Sequence, residues 1–317
     1  MKLNSAIVLI ILVVALVTLI SVKHLTNVKE NLYTIGILQT ASFPALDAAR
    51  MGFINKINKE LPGQVSFIIQ NAQGSSHTAQ SITASLKSNK NIDAFFAIAS
   101  PALLALHASI FDKPIVFSAV TDPISLLGPR KEFPNITGST DLINVKQQIK
   151  LITELLPSVR KIGIIYSPSE QNSTTIANLM KEHIINAGLD YEIVGVNSQT
   201  DVPAAVQKTV QNNQILLIPT DNTLAASLPL IAQITAKSNI PVIISWVDEE
   251  NKSPLIQFGV DYYQSGEQAA MQILQILNEE VTPASIEYAL PDNKIIVNKE
   301  LFERYKLQIL SNTPTSG

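Results

Sequence analysis

Ile92-Asp93-Ala94-Phe95-Phe96-Ala97-Ile98-Ala99-Ser100-Pro101-Ala102 is followed shortly by Ile115-Val116-Phe117-Ser118-Ala119-Val120-Thr121-Asp122-Pro123. Both segments read alike: an apolar run of strand length, then Ser-Pro or Asp-Pro. A near-continuous apolar strand is buried on both faces, the environment of a parallel sheet covered by helices on each side. Ser or Asp before Pro opens a helix, because the side chain caps a free N–H and Pro fits the first turn. Strand, cap, helix, repeated, makes an α/β protein.

The alternation runs outward in both directions. Strands are expected at Thr34–Leu38, Val65–Ile69, Asp93–Ile98, Ile115–Ala119, Lys161–Tyr166, Tyr191–Val196, Ile215–Ile218 and Val242–Ser245. Helical patterns lie between them at Ala45–Glu60, Ser76–Ser88, Val145–Leu155, Thr174–Ala187 and Leu224–Lys237. One doubly wound sheet rarely needs more than about 200 residues, so 317 predict two such lobes. No Gly/Ser-rich or Pro-rich linker separates them, so short strand-like crossovers are expected. Candidates are Pro134-Asn135-Ile136-Thr137-Gly138, Pro254–Gly259 and Val281–Ser285. The division this predicts is 29–137 plus 256–282 for the first lobe and 138–255 plus 283–317 for the second, after a leader at 1–28.

Composition narrows the function. Hydrophobic residues make up 46% and charged residues only 15%, with a net charge of −3, which excludes an electrostatic grip on nucleic acid. There is no cysteine, hence no disulfide, thiolate nucleophile or Cys-ligated metal. The four histidines, His24, His77, His107 and His183, lack metal-ligand spacing, and no glycine-rich phosphate loop, G-x-S-x-G elbow or H-E-x-x-H occurs. A binding protein without cofactor or metal is expected, not an enzyme. Ala6–Val22 carries no charge over 17 residues between a Lys2-containing start and Lys23-His24. That pattern predicts an export signal or a transmembrane helix acting as anchor, and a body outside the cytoplasm.

Where strands end, polar caps gather: Ser100-Pro101, Thr121-Asp122-Pro123, Ser169-Glu170-Gln171-Asn172-Ser173, Pro219-Thr220-Asp221-Asn222, and Asn71-Ala72-Gln73-Gly74 before another helix. The carboxyl ends of parallel strands are where open α/β sheets bind ligands, and helix N-termini there suit an anion. Asp122, Asp221 and Asp261 are candidate partners for a cation, since a desolvated ammonium needs a carboxylate. Phe43, Trp246, Tyr262 and Tyr263 fall near strand ends or crossovers, where an aromatic ring can stack on a planar ligand.

Taken together, Ile35-Gly36-Ile37-Leu38-Gln39, Pro44-Ala45-Leu46-Asp47-Ala48-Ala49-Arg50 with Gly52-Phe53, Asn71-Ala72-Gln73-Gly74, the two segments quoted first, Asn135-Ile136-Thr137-Gly138, Tyr166 with Glu170, Asn172 and Ser173, and Pro219-Thr220-Asp221-Asn222 resemble a known family. They are similar to the ABC-transporter substrate-binding proteins that include tryptophan- and tyrosine-binding members. The resemblance runs from about Thr34 to Leu310. It implies two lobes joined by three crossovers, the type I periplasmic-binding fold, and a hinge that closes on a small ligand for delivery to a membrane ABC permease. Phe43 stands where many relatives carry His, Ser100 where Thr is common, and the usual lipoprotein cysteine is absent. Any membrane tether must therefore use the N-terminal segment. The expected ligand is an amino acid, aromatic by preference. Its carboxylate is placed near Ser100 and Thr121, and its ammonium at Asp221 or Asp261, with Asp122 next. Gln39 and Asn71 are expected at its head, Asn172 or Ser173 against it from the second lobe, and Phe43, Trp246 or Tyr262 on its ring. A membrane-anchored ligand-sensing receptor with the same fold is the alternative.

Overall fold

The computed structural model describes residues 33–278 and 281–305; the apolar run at 6–22 lies outside them. Strands β1 (Tyr33–Gln39), β2 (Val65–Asn71), β3 (Ala94–Ile98), β4 (Ile115–Val120) and β5 (Ile136–Thr140) form one sheet in the order β2-β1-β3-β4-β5, all parallel. A second sheet holds β6 (Lys161–Tyr166), β7 (Asp190–Gly195), β8 (Ile215–Ile218), β9 (Val242–Ile244), β10 (Ile256–Val260) and β11 (Asn293–Val297). Its order is β11-β10-β9-β8-β6-β7, parallel except for β11, which runs antiparallel beside β10. Every residue of β3, β4, β8, β9 and β10 is buried, and β3, β8 and β9 are apolar throughout, as burial on both faces of a parallel sheet requires.

Helices fill the connections. The first lobe carries α1 (Pro44–Glu60), α2 (Ser76–Ser88), α3 (Ser100–His107) and α4 (Pro123–Leu127). The second carries α5 (Val145–Leu155), α6 (Gln171–Asn186), α7 (Val202–Thr209), α8 (Asn222–Ala226) and α9 (Leu228–Ser238). Helix α10 (Tyr262–Leu277) returns to the first lobe and packs on α1, and α11 (Lys299–Arg304) closes the second. The α1–α10 contact is made backbone to backbone. A Cβ on Gly52 would lie 2.1 Å from Tyr263 O, and one on Gly266 2.0 Å from Ala49 O.

The chain changes sheets three times: at 141–144 between β5 and α5, at Asp261 between β10 and α10, and at 290–292 before β11. Each crossover lies downstream of the turn-rich stretch that predicts it. Ile136–Thr140 pairs with β4 and completes the first sheet. Ile256–Val260 pairs with β9 and β11, so 256–260 belongs to the second lobe and not the first. The segment after α10 stays on the first lobe: Ala289 N donates to Gly138 O at 2.9 Å and Thr140 N to Ala289 O at 2.7 Å. The predicted helix Leu224–Lys237 is two helices, broken at Ser227, where Pro229 starts a new first turn.

One apolar cluster joins the lobes. It runs from Leu46, Ala49 and Phe53 on α1 through Val260 and Tyr262 to Trp246, Leu224 and Ile231. Among the described residues no helix is long and apolar enough to cross a membrane.

Candidate ligand-binding site

The carboxyl ends of both sheets face one cleft. Its lining is Phe43, Ala45, Leu46, Ala119, Asp141 and Tyr262 with Asn172, Thr220, Asp221, Asn222, Ala225 and Trp246. The first group comes from the first lobe and its crossovers, the second from the second lobe. The space between these residues is small. Little of that space is wide enough for a water molecule, so entry of a ligand requires the lobes to part. A broader groove of about 1800 Å³ continues from it, with Ser42, Gln73 and Ser100 on one wall and Glu170, Asn172 and Ser198 on the other. Neither lining includes a Lys, Arg or His side chain.

Two carboxylates are buried in the cleft. Asp221 is 2% exposed and caps α8, its Oδ1 accepting from Leu224 N at 2.8 Å. Its Oδ2 accepts from Ser167 N at 2.7 Å and Ser173 Oγ at 2.6 Å. Glu170 serves the same helix end, taking Asn222 N at 3.0 Å and Thr223 N at 2.9 Å. Burial, and then the negative charge of Glu170, push the Asp221 carboxyl up to about 7 against the bonds it accepts. Asp141, also 2% exposed, is the first residue after β5. Its Oδ1 accepts from Thr121 Oγ1 at 2.7 Å and its Oδ2 from the Tyr262 hydroxyl at 2.9 Å. Burial raises its carboxyl, and burial beside that carboxylate raises the Tyr262 phenol well above its ordinary range.

Backbone strain sits at the same sheet edge. Ala99 and Ala119, which end β3 and the bulged part of β4, have φ of 74° and 59°. Non-glycine residues held there cost about 1–2 kcal/mol and are retained where the surroundings over-determine them. At Ala119 the irregular register against β5 brings Thr121 to Asp141.

The structure sorts the residues expected from sequence. Phe43, Asn172, Asp221 and Trp246 line the cleft, with Tyr262 among them. Ser100, 5% exposed, lies on the groove. Ser173 and Thr121 sit behind the lining, holding Asp221 and Asp141. Gln39 is committed within its own lobe: Nε2 donates to Asp47 Oδ1 at 2.8 Å and Oε1 accepts from Arg50 Nη1 at 2.5 Å. Asn71 closes its own turn through Gln73 N at 2.8 Å. Asp122 caps α4 through Ser125 N at 2.9 Å. Asp261 caps α10 and lies 3.5 Å from Lys294 Nζ. Neither aspartate lines the cleft or the groove. Asp141 escapes the sequence reading, because 134–138 reads as a crossover between the lobes; read as the last strand of the first sheet, 136–140 would have flagged the residue at its carboxyl end.

Two sheets, parallel but for β11, with three crossovers and a cleft lined from both lobes define a two-lobed binding protein. The chain belongs to the ABC transporter substrate binding protein family, whose model matches residues 34–314. It is 29% identical over 285 residues to a tyrosine-binding protein of Clostridioides difficile, covering 87% of this chain and 82% of that one. Among solved structures it is similar to an ABC domain in complex with L-Trp from Streptococcus pneumonia, at 28% identity and a TM-score of 0.83, over 88% of this chain and 96% of that one. It is also similar to the ligand-free, open structure of a substrate-binding protein with adhesive properties from Clostridium difficile, at 30% identity and a TM-score of 0.68, over 90% and 98%. At nearly equal identity, the TM-score is higher against the L-Trp complex than against the ligand-free, open structure. The fold is the type I periplasmic-binding fold.

Proposed function

We propose that this chain is the extracytoplasmic solute receptor of an ABC importer and that it takes a free amino acid, aromatic by preference, into the interlobe cleft. The observation that carries this reading is the lining itself: Phe43, Tyr262 and Trp246 surround two buried carboxylates, with residues supplied by both lobes. A zwitterion with a flat side chain matches it. The rings supply area and stacking worth about 0.5–1.5 kcal/mol beyond burial, and a carboxylate supplies the counter-charge that a desolvated ammonium demands. The ligand carboxylate has no cationic side chain to meet, so hydroxyls and N–H groups near Ser100 must receive it. The tyrosine and tryptophan named for two relatives support the same class of ligand.

No covalent step is required. Ligand binding energy shifts an equilibrium between parted and closed lobes, and a membrane permease reads the closed form. The apolar run at 6–22 serves as export signal or anchor, so the body should fractionate with the cytoplasmic membrane or the periplasm, and recovery wholly from the cytosol would refute that placement. The reading as a whole is tested by thermal denaturation of the full-length chain against each of the twenty amino acids. L-Trp, L-Tyr or L-Phe should raise Tm most, since ligand at a hundredfold its Kd adds about 2.7 kcal/mol. If none of the twenty shifts Tm, the proposal fails.

A further inference from the structure

We propose that Asp141 is the residue that receives the ligand's ammonium, and that its bond to Tyr262 ties that event to two of the three crossovers. This rests on the amino-acid reading above and extends it to a residue and a coupling that the fold alone does not require.

The argument begins with what each buried carboxylate already does. Asp221 accepts from two backbone N–H groups and a serine hydroxyl, all within its own lobe, and caps α8. Its position is explained by the fold. Asp141 caps no helix. Its two oxygens accept from hydroxyls brought from 20 and 121 residues away in the chain. Thr121 follows β4, and Tyr262 begins α10 immediately after the crossover at Asp261. A buried carboxylate whose partners from elsewhere in the chain are two neutral hydroxyls is incompletely compensated, and no cationic side chain lines the cleft it faces. The two hydroxyls fix the plane of the carboxylate and leave lone pairs on both oxygens for a third, charged donor.

The opposite lobe holds the complement. Asn172 is 5% exposed and lines the same cleft; its Nδ2 donates to Thr220 O at 2.9 Å, while its Oδ1 is buried without a protein partner. An ammonium carries three donors, and the cleft offers three acceptor groups: Asp141 from the first crossover, Asn172 Oδ1 and Asp221 from the second lobe. Such a ligand bridges the lobes through one nitrogen. Asp141 and Tyr262 stand at two of the three crossovers, so the carboxylate that meets the ligand also links those two connections to each other.

The test compares L-tryptophan with 3-(indol-3-yl)propionate, which lacks only the ammonium, on the full-length chain by calorimetry. The wild type should prefer L-tryptophan. Asp141→Asn should weaken L-tryptophan at least a hundredfold and leave the deaminated acid within about threefold, which no general loss of folding would do. Tyr262→Phe, which keeps the carboxylate, should weaken L-tryptophan about tenfold and slow or loosen closure in solution scattering. If Asp141→Asn binds L-tryptophan within threefold of wild type, or if Asp221→Asn alone abolishes the ammonium preference, the assignment is overturned while the amino-acid reading stands. If the wild type binds both compounds equally, the ammonium receptor is refuted outright.

Discussion

Asp221 and Glu170 share one helix end, and that sharing sets the pH behaviour of the site. Glu170 takes the first two N–H groups of α8 and Asp221 the third, with the Asp221 carboxyl lifted to about 7. Its folded value lies above the ordinary 3.8, so the free protein holds an extra proton between those two pH values. The stability this group contributes is complete below about pH 4 and is lost as pH rises through about 7. Asp141, raised by burial as well, acts in the same direction. Denaturant unfolding should therefore show stability falling over this window, with a shallower slope in Asp221→Asn. Ligand binding has its own signature. An ammonium docked beside Asp221 drives the proton off, so at about pH 6 binding of L-tryptophan should release protons to buffer. Calorimetric heats should diverge between buffers of different ionisation enthalpy near pH 6 and converge near pH 8. Equal heats at the lower pH would place no titrating carboxylate against the ligand.

At the scale of elements, the packing of α1 on α10 is the tightest constraint near the site. Gly52 and Gly266 admit the partner backbone so closely that a single added methyl has nowhere to go. Gly266→Ala should cost about 1–3 kcal/mol and, because Tyr262 begins α10, weaken ligand binding as well. Gly188→Ala is the contrast: its φ is 72° with nothing within 4 Å and it lines neither the cleft nor the groove, so only backbone strain of about 1 kcal/mol is expected and no change in affinity. Equal losses in both variants would remove the packing argument.

Element boundaries also show what could be read beforehand. Lys161–Tyr166, Ile215–Ile218, Ser76–Ser88 and Val145–Leu155 stand where periodicity puts them. Apolar runs bounded by caps carry their own evidence, as with Asp122 and Asp221, which cap the helices they precede. The strands β5 and β10 were hidden by composition. Ile136–Thr140 is mostly small and polar, and Ile256–Val260 contains Gly259, which is needed because a Cβ there would lie 2.6 Å from Trp246 Cα. Asp141 was illegible for a different reason: its importance comes from Thr121 and Tyr262, and only the fold assembles those three.

For the whole molecule, the question is why an unliganded receptor should stay open when an apolar seam is there to close it. Leu46 and Phe53 on one side and Leu224 and Trp246 on the other belong to one cluster, and burial of such surface favours closure at about 25 cal/mol per Å². Against it stands the burial of Asp141 and Asp221 in a cleft lined by no cation. A ligand ammonium removes that penalty, so binding and closure become one event. The required energy is modest: shifting a 1:99 equilibrium to 99:1 takes about 5.5 kcal/mol, less than the 8.2 kcal/mol of a micromolar ligand. The chain has no native cysteine, so Gln80→Cys with Gln199→Cys places one spin label on each wall of the groove without interference. The interlabel distance should be long and broadly distributed in the free protein at about pH 7.5 and shorten to a narrow distribution with L-tryptophan. Acid should mimic the ligand in part, because protonating Asp221, whose carboxyl is lifted to about 7, removes part of the same penalty, so the free protein should compact as pH falls below 7. A distance that ignores both ligand and pH would mean that charge in the cleft does not govern the hinge.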